Sequence, residues 1–150
     1  MVESMTKIDS IGSALALVTS ILKGSRILER WDGVSILIEH EHGAEGNKDI
    51  KSKETYLVMF KRQYYRAFKS HFPNCTKADG KPYGWAQIMN KELLERACRR
   101  NINWVAFVTP DGAVYKTLPM QFKRFSEAYK TETPHLKGEV AMPLPFFRRL

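Results

Sequence analysis

The sequence predicts a mixed α/β (α+β) fold, in which one central mixed sheet is flanked by helices. Apolar residues recur at helical spacing near the start of the chain, and two apolar runs rich in β-branched residues follow. After residue 90 the pattern changes to helix, strand pair and helix. A chain of 150 residues is long enough to bury a sizeable core in one domain. We therefore expect one domain over residues 1–130, followed by an extended C-terminal tail over residues 131–150.

The first predicted element is a helix from Ile8 to about Arg30. Ser10 is a suitable N-cap, because its hydroxyl can accept a hydrogen bond from a free backbone amide. Gly24 is expected to bend or interrupt this helix. The apolar residues return every three or four positions, as on one face of a helix, at Ile11, Leu15, Val18 and Leu22.

Two strands are predicted next. The segment Val34–His42 begins after the turn-forming pair Asp32-Gly33 and is largely apolar. A loop with two glycines, Gly43–Lys48, separates it from the second strand. That strand, Glu54–Arg62, is rich in β-branched and aromatic residues. These two strands form the expected centre of the sheet.

The region after residue 62 begins with weak signals and becomes clearer beyond residue 90. Gln63–Phe72 is weakly helical, and Pro73–Tyr83 is irregular. Asn90 is expected to cap a helix over Lys91–Arg100. The predicted strand Trp104–Thr109 follows this helix.

A hairpin and a last helix complete the predicted domain. Pro110-Asp111-Gly112 favours a turn, so Ala113–Leu118 is expected to return antiparallel to the preceding strand. Met120–Tyr129 has the pattern of an amphipathic helix. The tail contains the pair Phe146-Phe147, which we expect to pack on the protein's own core or on a dimer mate. This pair also resembles the aromatic pair of sliding-clamp-binding peptides, but the glutamine that opens such peptides is absent.

Charge is distributed unevenly along the chain. The net charge is +8; residues 1–60 carry 7 basic and 9 acidic side chains, and residues 61–150 carry 17 basic and 7 acidic side chains. An acidic part that can hold a cation, joined to a basic part that can neutralise phosphates, favours nucleic acid as the partner. The alternative is ordinary charge that keeps the surface soluble.

The composition predicts an intracellular, cytoplasmic protein with no membrane partner. No apolar run reaches the ~18 residues that a membrane-spanning helix requires. Ile11–Leu22 is preceded by Glu3 and Asp9 and is not followed by a small-residue cleavage site, so it is predicted to be a core helix. Two cysteines, Cys75 and Cys98, fit a reducing compartment.

Lys61 is the first candidate for chemistry, because it ends the second predicted strand. Alternate side chains of a strand share a face, so Lys61 should lie on the same side as Met59. A lysine there could orient an attacking water or offset charge on a phosphate during its hydrolysis. An acid from a neighbouring strand would then bind Mg²⁺ or Mn²⁺. The alternative is a strand-terminal lysine that only reaches solvent.

The order of helix, hairpin, acid and lysine-ended strand resembles the PD-(D/E)xK nuclease superfamily, which includes archaeal Holliday-junction resolvases. The residues that carry the resemblance are Asp49-Ile50 and Leu57–Lys61, within roughly residues 8–63. The resemblance implies a restriction-endonuclease-like core, with Asp49 as the first metal-binding acid and Lys61 as the catalytic lysine. Glu29 would correspond to a glutamate on the first helix. It further implies a Mg²⁺-dependent homodimeric DNA endonuclease that acts on duplex or branched DNA.

Two positions depart from the superfamily's motif. Lys48 replaces the proline before Asp49, and Met59 stands where a second acid is expected. Methionine sulfur is a poor ligand for a hard cation, which prefers oxygen. Glu39 and Glu41 are the expected substitutes as catalytic and metal-binding acids, because they share one face of the neighbouring strand.

Two other arrangements remain open. Asp32 together with Glu39-His40-Glu41 would centre the site on the first strand, with three carboxylates but no lysine nearby in the sequence. His40 and His42 have a spacing that suits Zn²⁺, but the sequence shows no third ligand for them.

Arg62, Gln63, Arg66 and Lys69 are predicted to bind DNA. They are interleaved with aromatic residues just past Lys61, and this mixture can hold phosphates and stack bases. The alternative is that the aromatic residues pack one face of a helix into the core. Two other functions compete with the endonuclease: a non-catalytic nucleic-acid-binding protein that has lost its second acid, and a structural protein whose aromatic tail binds a partner.

Overall fold

A computed structural model of the protein describes residues 8–44, 47–67, 75–131 and 138–150, with the side chains of residues 42–51 and 67 left out. The chain is a mixed α+β protein, as the sequence predicts. The first half contains α1 (Ile11–Ile21), β1 (Ser25–Asp32), β2 (Ser35–Ala44), β3 (Asn47–Phe60) and β4 (Tyr65–Ala67). The second half contains β5 (Gly84–Asn90), α2 (Lys91–Arg99), β6 (Trp104–Val108), β7 (Val114–Thr117), α3 (Pro119–Tyr129), β8 (Glu139–Pro143), a 3-10 turn (Leu144–Phe146) and β9 (Arg148–Arg149).

The described strands form two sheets. The larger one has the order β1-β2-β3-β6-β7-β9, and the smaller one has the order β4-β5-β8. Strands β3 and β6 are parallel. The other neighbours in both sheets are antiparallel. A connection between parallel strands must cross over the sheet, and here β4, β5 and α2 lie on that connection.

The larger sheet is buried on both faces. One face packs against α1 through a cluster that includes Val18, Ile38 and Val58. The other face packs against the smaller sheet, α2 and α3 through a cluster that includes Phe107 and Phe122. Because β3 and β6 are covered on both sides, their side chains form nearly continuous apolar runs, as is typical of parallel pairs.

The predicted first helix is wrong beyond Ile21. Ser10 caps α1 as expected, by accepting a hydrogen bond from the Ser13 amide at 3.2 Å. The chain then turns at Gly24, which has a φ of +85°. A glycine adopts this left-handed conformation without steric cost. The chain continues as the strand β1, so Glu29 lies on a strand and not on the first helix.

Two other predicted elements also differ, and one observed strand was not predicted. Where a weak helix was expected after Gln63, the described part contains β4, and residues 68–74 lie outside the described residues. The strand β5 was not expected. The predicted loop Gly43–Lys48 is shorter, because β2 reaches Ala44 and β3 starts at Asn47. Residues 45–46 lie outside the described residues.

The described C-terminal residues, 138–150, contain two short strands and a 3-10 turn, and residues 132–137 of the predicted tail lie outside the described residues. Strand β8 pairs with β5, and β9 pairs with β7 at the edge of the larger sheet. The ring of Phe147 lies 5.4 Å from the ring of Phe107, centroid to centroid, and 5.9 Å from that of Phe122. Phe146 lies 4.7 Å from Phe125 in the same way. The aromatic pair therefore packs on the protein's own core.

The elements between residues 90 and 129 agree with their predictions. Asn90 caps α2, since its side-chain oxygen accepts a hydrogen bond from the Leu93 amide at 3.0 Å. The strand pair β6–β7 and the helix α3 lie where they were expected. Among the described residues, no helix is long and apolar enough to cross a membrane.

Candidate active site

The pairing of β2 with β3 brings Asp32 to the end of β3 where Lys61 follows. Ser35 is paired with Met59, and the Phe60 amide donates a hydrogen bond to the Val34 carbonyl oxygen at 3.0 Å. Asp32 ends β1 just before this pair. The start of one antiparallel strand lies beside the end of its neighbour, so the Asp32 turn faces the end of β3.

Lys61 is fixed by its backbone and half-buried by its surroundings. Its amide donates a hydrogen bond to the Val108 carbonyl oxygen at 2.9 Å. Its ammonium lies 5.8 Å from the centre of the Phe107 ring. Burial lowers the pKa of Lys61 below the ordinary lysine value, while the negative charges of Glu139 and Asp32 act to raise it. The lysine is therefore a partly desolvated cation that faces two acids.

A cavity of about 190 Å³ joins these residues. Glu139 enters it from the start of β8, and its backbone is paired with Asn90, the last residue of β5. The Ser35 hydroxyl is buried and has no hydrogen-bond partner among the described residues. Such a group is costly to bury unless a ligand or water completes it. The cavity is lined by Asp32, Val34, Ser35, Met59, Lys61, Met89, Asn90, Leu93 and Glu139.

A second cavity of about 400 Å³ extends from Asp32 along the first turns of α2. It shares Asp32, Asn90 and Leu93 with the first cavity, and it adds Glu92, Arg96 and Arg99. The two cavities form a cleft with Asp32 and Glu139 at one end. The other end is basic, because its two arginines outnumber Glu92. A phosphodiester could be held by the arginines while its phosphorus lies near Lys61 and the acids.

The predicted pairing of Asp49 with Lys61 is wrong. Both belong to the β3 segment, Asp49 near the start of the strand and Lys61 just past its end. Twelve residues of strand at about 3.3 Å each separate their backbones by roughly 40 Å. The side chain of Asp49 lies outside the described side chains. A metal ion bound by Asp49 therefore cannot lie beside Lys61 of the same chain.

The other predicted acids also lie away from the Lys61 cavity. Glu39 is paired with Thr55, six residues before Lys61, and it forms an ion pair with Arg26 at 3.1 Å. Glu41 is paired with Lys53, which is further along the strand. Neither of them lines the cavity. The alternative site that centres on Glu39-His40-Glu41 is separated from Asp32 for the same reason.

Glu29 is engaged in ion pairs on β1. Its carboxylate accepts hydrogen bonds from Arg100 at 2.8 Å and from Arg96 at 3.2 Å. The Arg100 hydrogen bond, together with the charges of both arginines, lowers the pKa of Glu29. Arg96 also lies 4.1 Å from the centre of the Trp31 ring. Glu29 therefore ties β1 to α2, and it does not line the Lys61 cavity.

The histidine arrangement gains no third ligand in the described part of the chain. A ring nitrogen of His40 is 3.1 Å from the Lys23 carbonyl oxygen, and the ring meets Tyr56 edge-on. The side chain of His42 lies outside the described side chains. No group of three histidine, cysteine or acidic residues suited to a metal occurs among the described residues.

The predicted DNA-binding residues that the structure describes lie near Trp85 and Tyr64. Arg62 and Gln63 line an open cavity together with Tyr64, and Arg66 lies over the ring of Trp85, 5.1 Å from its centre. Lys69 lies outside the described residues.

The acids beside Lys61 are chemically suited to Mg²⁺ or Mn²⁺. Both ions prefer oxygen ligands, and Mg²⁺ is commonly bound by one or two carboxylates, with water and substrate phosphates completing its shell. Asp32, Glu139 and the unpaired Ser35 hydroxyl provide such oxygens around one cavity. One oxygen of Asp32 already accepts the Val34 amide at 2.8 Å, which leaves the other available.

From the sequence, Asp32 was expected at the site only in an alternative arrangement, and Glu139 was not expected there. The cause was the helix predicted through residue 30. Had β1 been predicted there, Asp32 would have been expected in the turn between β1 and β2, beside the end of β3. No local signal identifies Glu139, which reaches the cavity through the pairing of β8 with β5.

No protein-family profile, curated protein or solved structure shows significant similarity to this chain.

Proposed function

We propose that the protein is a metal-dependent DNA endonuclease whose reaction centre consists of Asp32, Lys61 and Glu139. The observation that carries this proposal is the half-buried lysine that faces two carboxylates in one cavity. These acids come from different sheets, Asp32 from β1 and Glu139 from β8, and both line the cavity that contains Lys61. A lysine whose pKa is shifted by burial, in a cavity that also holds acids, is characteristic of catalytic centres.

The residues have distinct roles in this proposal. Asp32 and Glu139 would hold the divalent ion, with the Ser35 hydroxyl as a further oxygen. The bound ion supplies Lewis-acid polarisation of a phosphoryl oxygen and favours ionisation of water. Lys61 donates hydrogen bonds to the attacking water or to a phosphate oxygen, and its positive charge offsets the negative charge that develops there. Its partial burial strengthens this interaction, because water screens it less.

The basic end of the cleft suits a nucleic-acid backbone. Arg99 is exposed, and Arg96 is half-buried beside it on α2. Residues 61–150 together carry an excess of ten positive charges, which is the difference between 17 basic and 7 acidic side chains. Such an excess attracts phosphates without regard to sequence.

The order of elements also supports the resemblance to the PD-(D/E)xK nucleases. The helix α1 precedes the antiparallel strands β1, β2 and β3, and the helix α2 precedes the strand β6, which pairs with β3. In this comparison of element order, Asp32 takes the role that the resemblance implied for Asp49. Met59 still occupies the position two residues before Lys61, and Glu139 supplies the acid from another strand.

Cleavage of supercoiled plasmid and of a synthetic four-way junction, with Mg²⁺ or Mn²⁺, tests this proposal. We expect Lys61→Ala, Asp32→Asn and Glu139→Gln each to lower the rate about 100-fold or more, since each removes a group that acts on the reacting phosphate. Asp49→Asn is the matched control, and it should keep most of the activity. Loss of cleavage in Asp49→Asn together with full activity in Asp32→Asn would overturn this assignment.

A second candidate function follows from Met59. This side chain lines the cavity beside Lys61 and cannot serve as a hard-cation ligand. A protein that kept the cleft after losing an acid would bind nucleic acid without cutting it. Salt-sensitive DNA binding by the wild type, with no cleavage under any divalent ion, would favour this alternative over the endonuclease.

A further inference from the structure

A separate open cavity lies just past the Lys61 end of β3. Its volume is about 390 Å³, which is within the ~300–1,000 Å³ range of small-ligand sites. One wall is the indole of Trp85, whose relative exposure is 45%. A tryptophan so exposed leaves a large apolar ring in contact with water. The cavity is lined by Arg62, Gln63, Tyr64, Trp85, Pro110 and Asp111.

Tyr64, another lining residue, is held in place by hydrogen bonds. Its hydroxyl donates a hydrogen bond to the Asp111 carboxylate at 2.8 Å and is also 3.1 Å from the Thr109 hydroxyl. Its ring meets Tyr115 edge-on and lies 6.2 Å from the Trp85 ring, centroid to centroid. Burial raises the pKa of Tyr64, so the hydroxyl stays protonated. Trp85 therefore rests on a fixed support.

Positive charge lies next to this ring. Strand pairing places Arg66 opposite Trp85, and the guanidinium of Arg66 is 5.1 Å from the ring centre. Arg66 does not line the cavity, whereas Trp85 does and is 45% exposed. Arg62 is exposed at the cavity itself.

We infer that this cavity binds an unpaired nucleobase, stacked on Trp85, while Arg62 and Arg66 hold the flanking phosphates. An aromatic platform beside positive charge is the arrangement by which proteins hold single-stranded nucleic acid. The Gln63 amide offers both a donor and an acceptor to the edge of a base. In a continuous duplex the faces of the bases are covered by their neighbours, so only single-stranded or branched nucleic acid can present one.

The inference rests on the proposed function, since it names the substrate class of the proposed endonuclease from a cavity next to the Lys61 cleft. Lys61 and Tyr64 are three residues apart, so their Cα atoms are at most ~11 Å apart. Trp85 and Asn90 lie on the same strand, five residues or roughly 17 Å apart. A base stacked on Trp85 would therefore be a few nucleotides from a phosphate at Lys61. The substrate would carry unpaired nucleotides next to the bond that is cut.

Binding measurements without divalent ions test the inference independently of cleavage. The probes are a short fluorescein-labelled oligothymidylate and a blunt duplex of the same length. We expect Trp85→Ala to weaken oligothymidylate binding about 5- to 150-fold, which corresponds to the loss of one stacked base, and to change duplex binding by less than about threefold. Trp85→Phe should keep most of the affinity. Met120→Ala, which removes another exposed apolar side chain, should have no effect.

Fluorescence provides a second measurement that does not depend on an alanine variant. Oligothymidylate should quench the tryptophan emission of the wild type, and Trp85→Phe should abolish this quenching although Trp31 and Trp104 remain. Equal loss of single-strand and duplex binding in Trp85→Ala, an unchanged single-strand affinity, or no oligothymidylate binding by the wild type would each overturn the inference. If Trp85-dependent binding is present but no variant or ion supports cleavage, only the endonuclease proposal fails.

Discussion

At the scale of single residues, Lys61 is placed at a cost to stability. Its amine is half-buried, and desolvation lowers its pKa even though Asp32 and Glu139 favour the charged form. A lysine in such a position destabilises the folded state in its charged form. Residues kept at a cost to stability are often those that function requires.

Replacing this lysine with an apolar residue should therefore stabilise the protein. We expect Lys61→Met to raise the melting temperature at pH 7, because no charge then has to be desolvated. The folded-state pKa of Lys61 lies below its unfolded value, so the unfolded wild type binds more protons between these two values. Wild-type stability therefore rises with pH across that window. The advantage of the variant should shrink as the pH approaches ~10.4, the ordinary lysine pKa.

Calorimetry of both proteins from pH 7 to pH 10 measures this difference, within the range where the fold persists. Lys53→Met is the control, because Lys53 is exposed on the same strand. A lower melting temperature for Lys61→Met at pH 7 would mean that ion pairing with the acids outweighs burial.

At the scale of elements, the sequence was most informative where a segment's pattern and its packing agree. The helix α2 has a capping asparagine and one apolar stripe, and its two buried residues, Leu94 and Ala97, lie on that stripe. Strand β1 was predicted as helix because its sequence does not show a clear strand pattern. It lies at the edge of the sheet and exposes apolar side chains, such as Ile27 at 58%. An edge strand without a buried alternating pattern has no clear period of two.

The candidate site was less predictable than the elements because it depends on long-range pairing. The position of Lys61 at the end of a strand could be predicted from the neighbouring residues alone. Which acid lies near Lys61 depends on which end of β2 is paired with the end of β3. Because β1 was predicted as helix, Asp49 was expected near Lys61 and Asp32 was considered only as an alternative. Glu139 depends on the smaller sheet, whose strand β5 was not predicted at all. Local patterns do not encode such register.

The C-terminal segment is an integral part of the core in this account. Phe147 contacts the rings of Phe107, Phe122 and Tyr115. We expect Phe147→Ala to lower the free energy of unfolding by about 3 kcal/mol, at the low end for a phenylalanine because the ring is half-buried. Urea denaturation at several protein concentrations measures this. Met120→Ala should change stability by less than about 0.5 kcal/mol, since Met120 is exposed.

A dependence of the Phe147→Ala effect on protein concentration would contradict this assignment. Such a result would mean that the aromatic pair stabilises contacts between two chains. The expected homodimer is a separate prediction, which sedimentation of the wild type would test.

At the scale of the whole molecule, charged residues from both parts of the chain meet in one cleft. Asp32 comes from the acidic first part of the chain, and Lys61, Glu139, Arg96 and Arg99 come from the basic second part. The fold places them around adjoining cavities. A polyanion would be attracted to the protein as a whole and directed by the cleft towards Lys61.

This arrangement predicts how salt affects binding. The logarithm of the DNA association constant should fall linearly with the logarithm of salt concentration, because bound phosphates release counterions. We expect Arg99→Ala to reduce the magnitude of this slope by about one, as for the loss of one phosphate contact. Arg124→Ala, on the exposed part of α3, should leave the slope unchanged. Equal slopes for the wild type and Arg99→Ala would exclude the α2 end of the cleft as a phosphate site.

We propose that Asp32 and Glu139 hold a divalent ion beside Lys61, and a crystal structure of the protein soaked in Mn²⁺ tests this, with the ion located by its anomalous scattering. We expect a peak between the two carboxylates, at ~2.0–2.6 Å from an oxygen of each. A peak at Asp49 or Glu41, or no peak in the cavity at a saturating concentration of Mn²⁺, would contradict it.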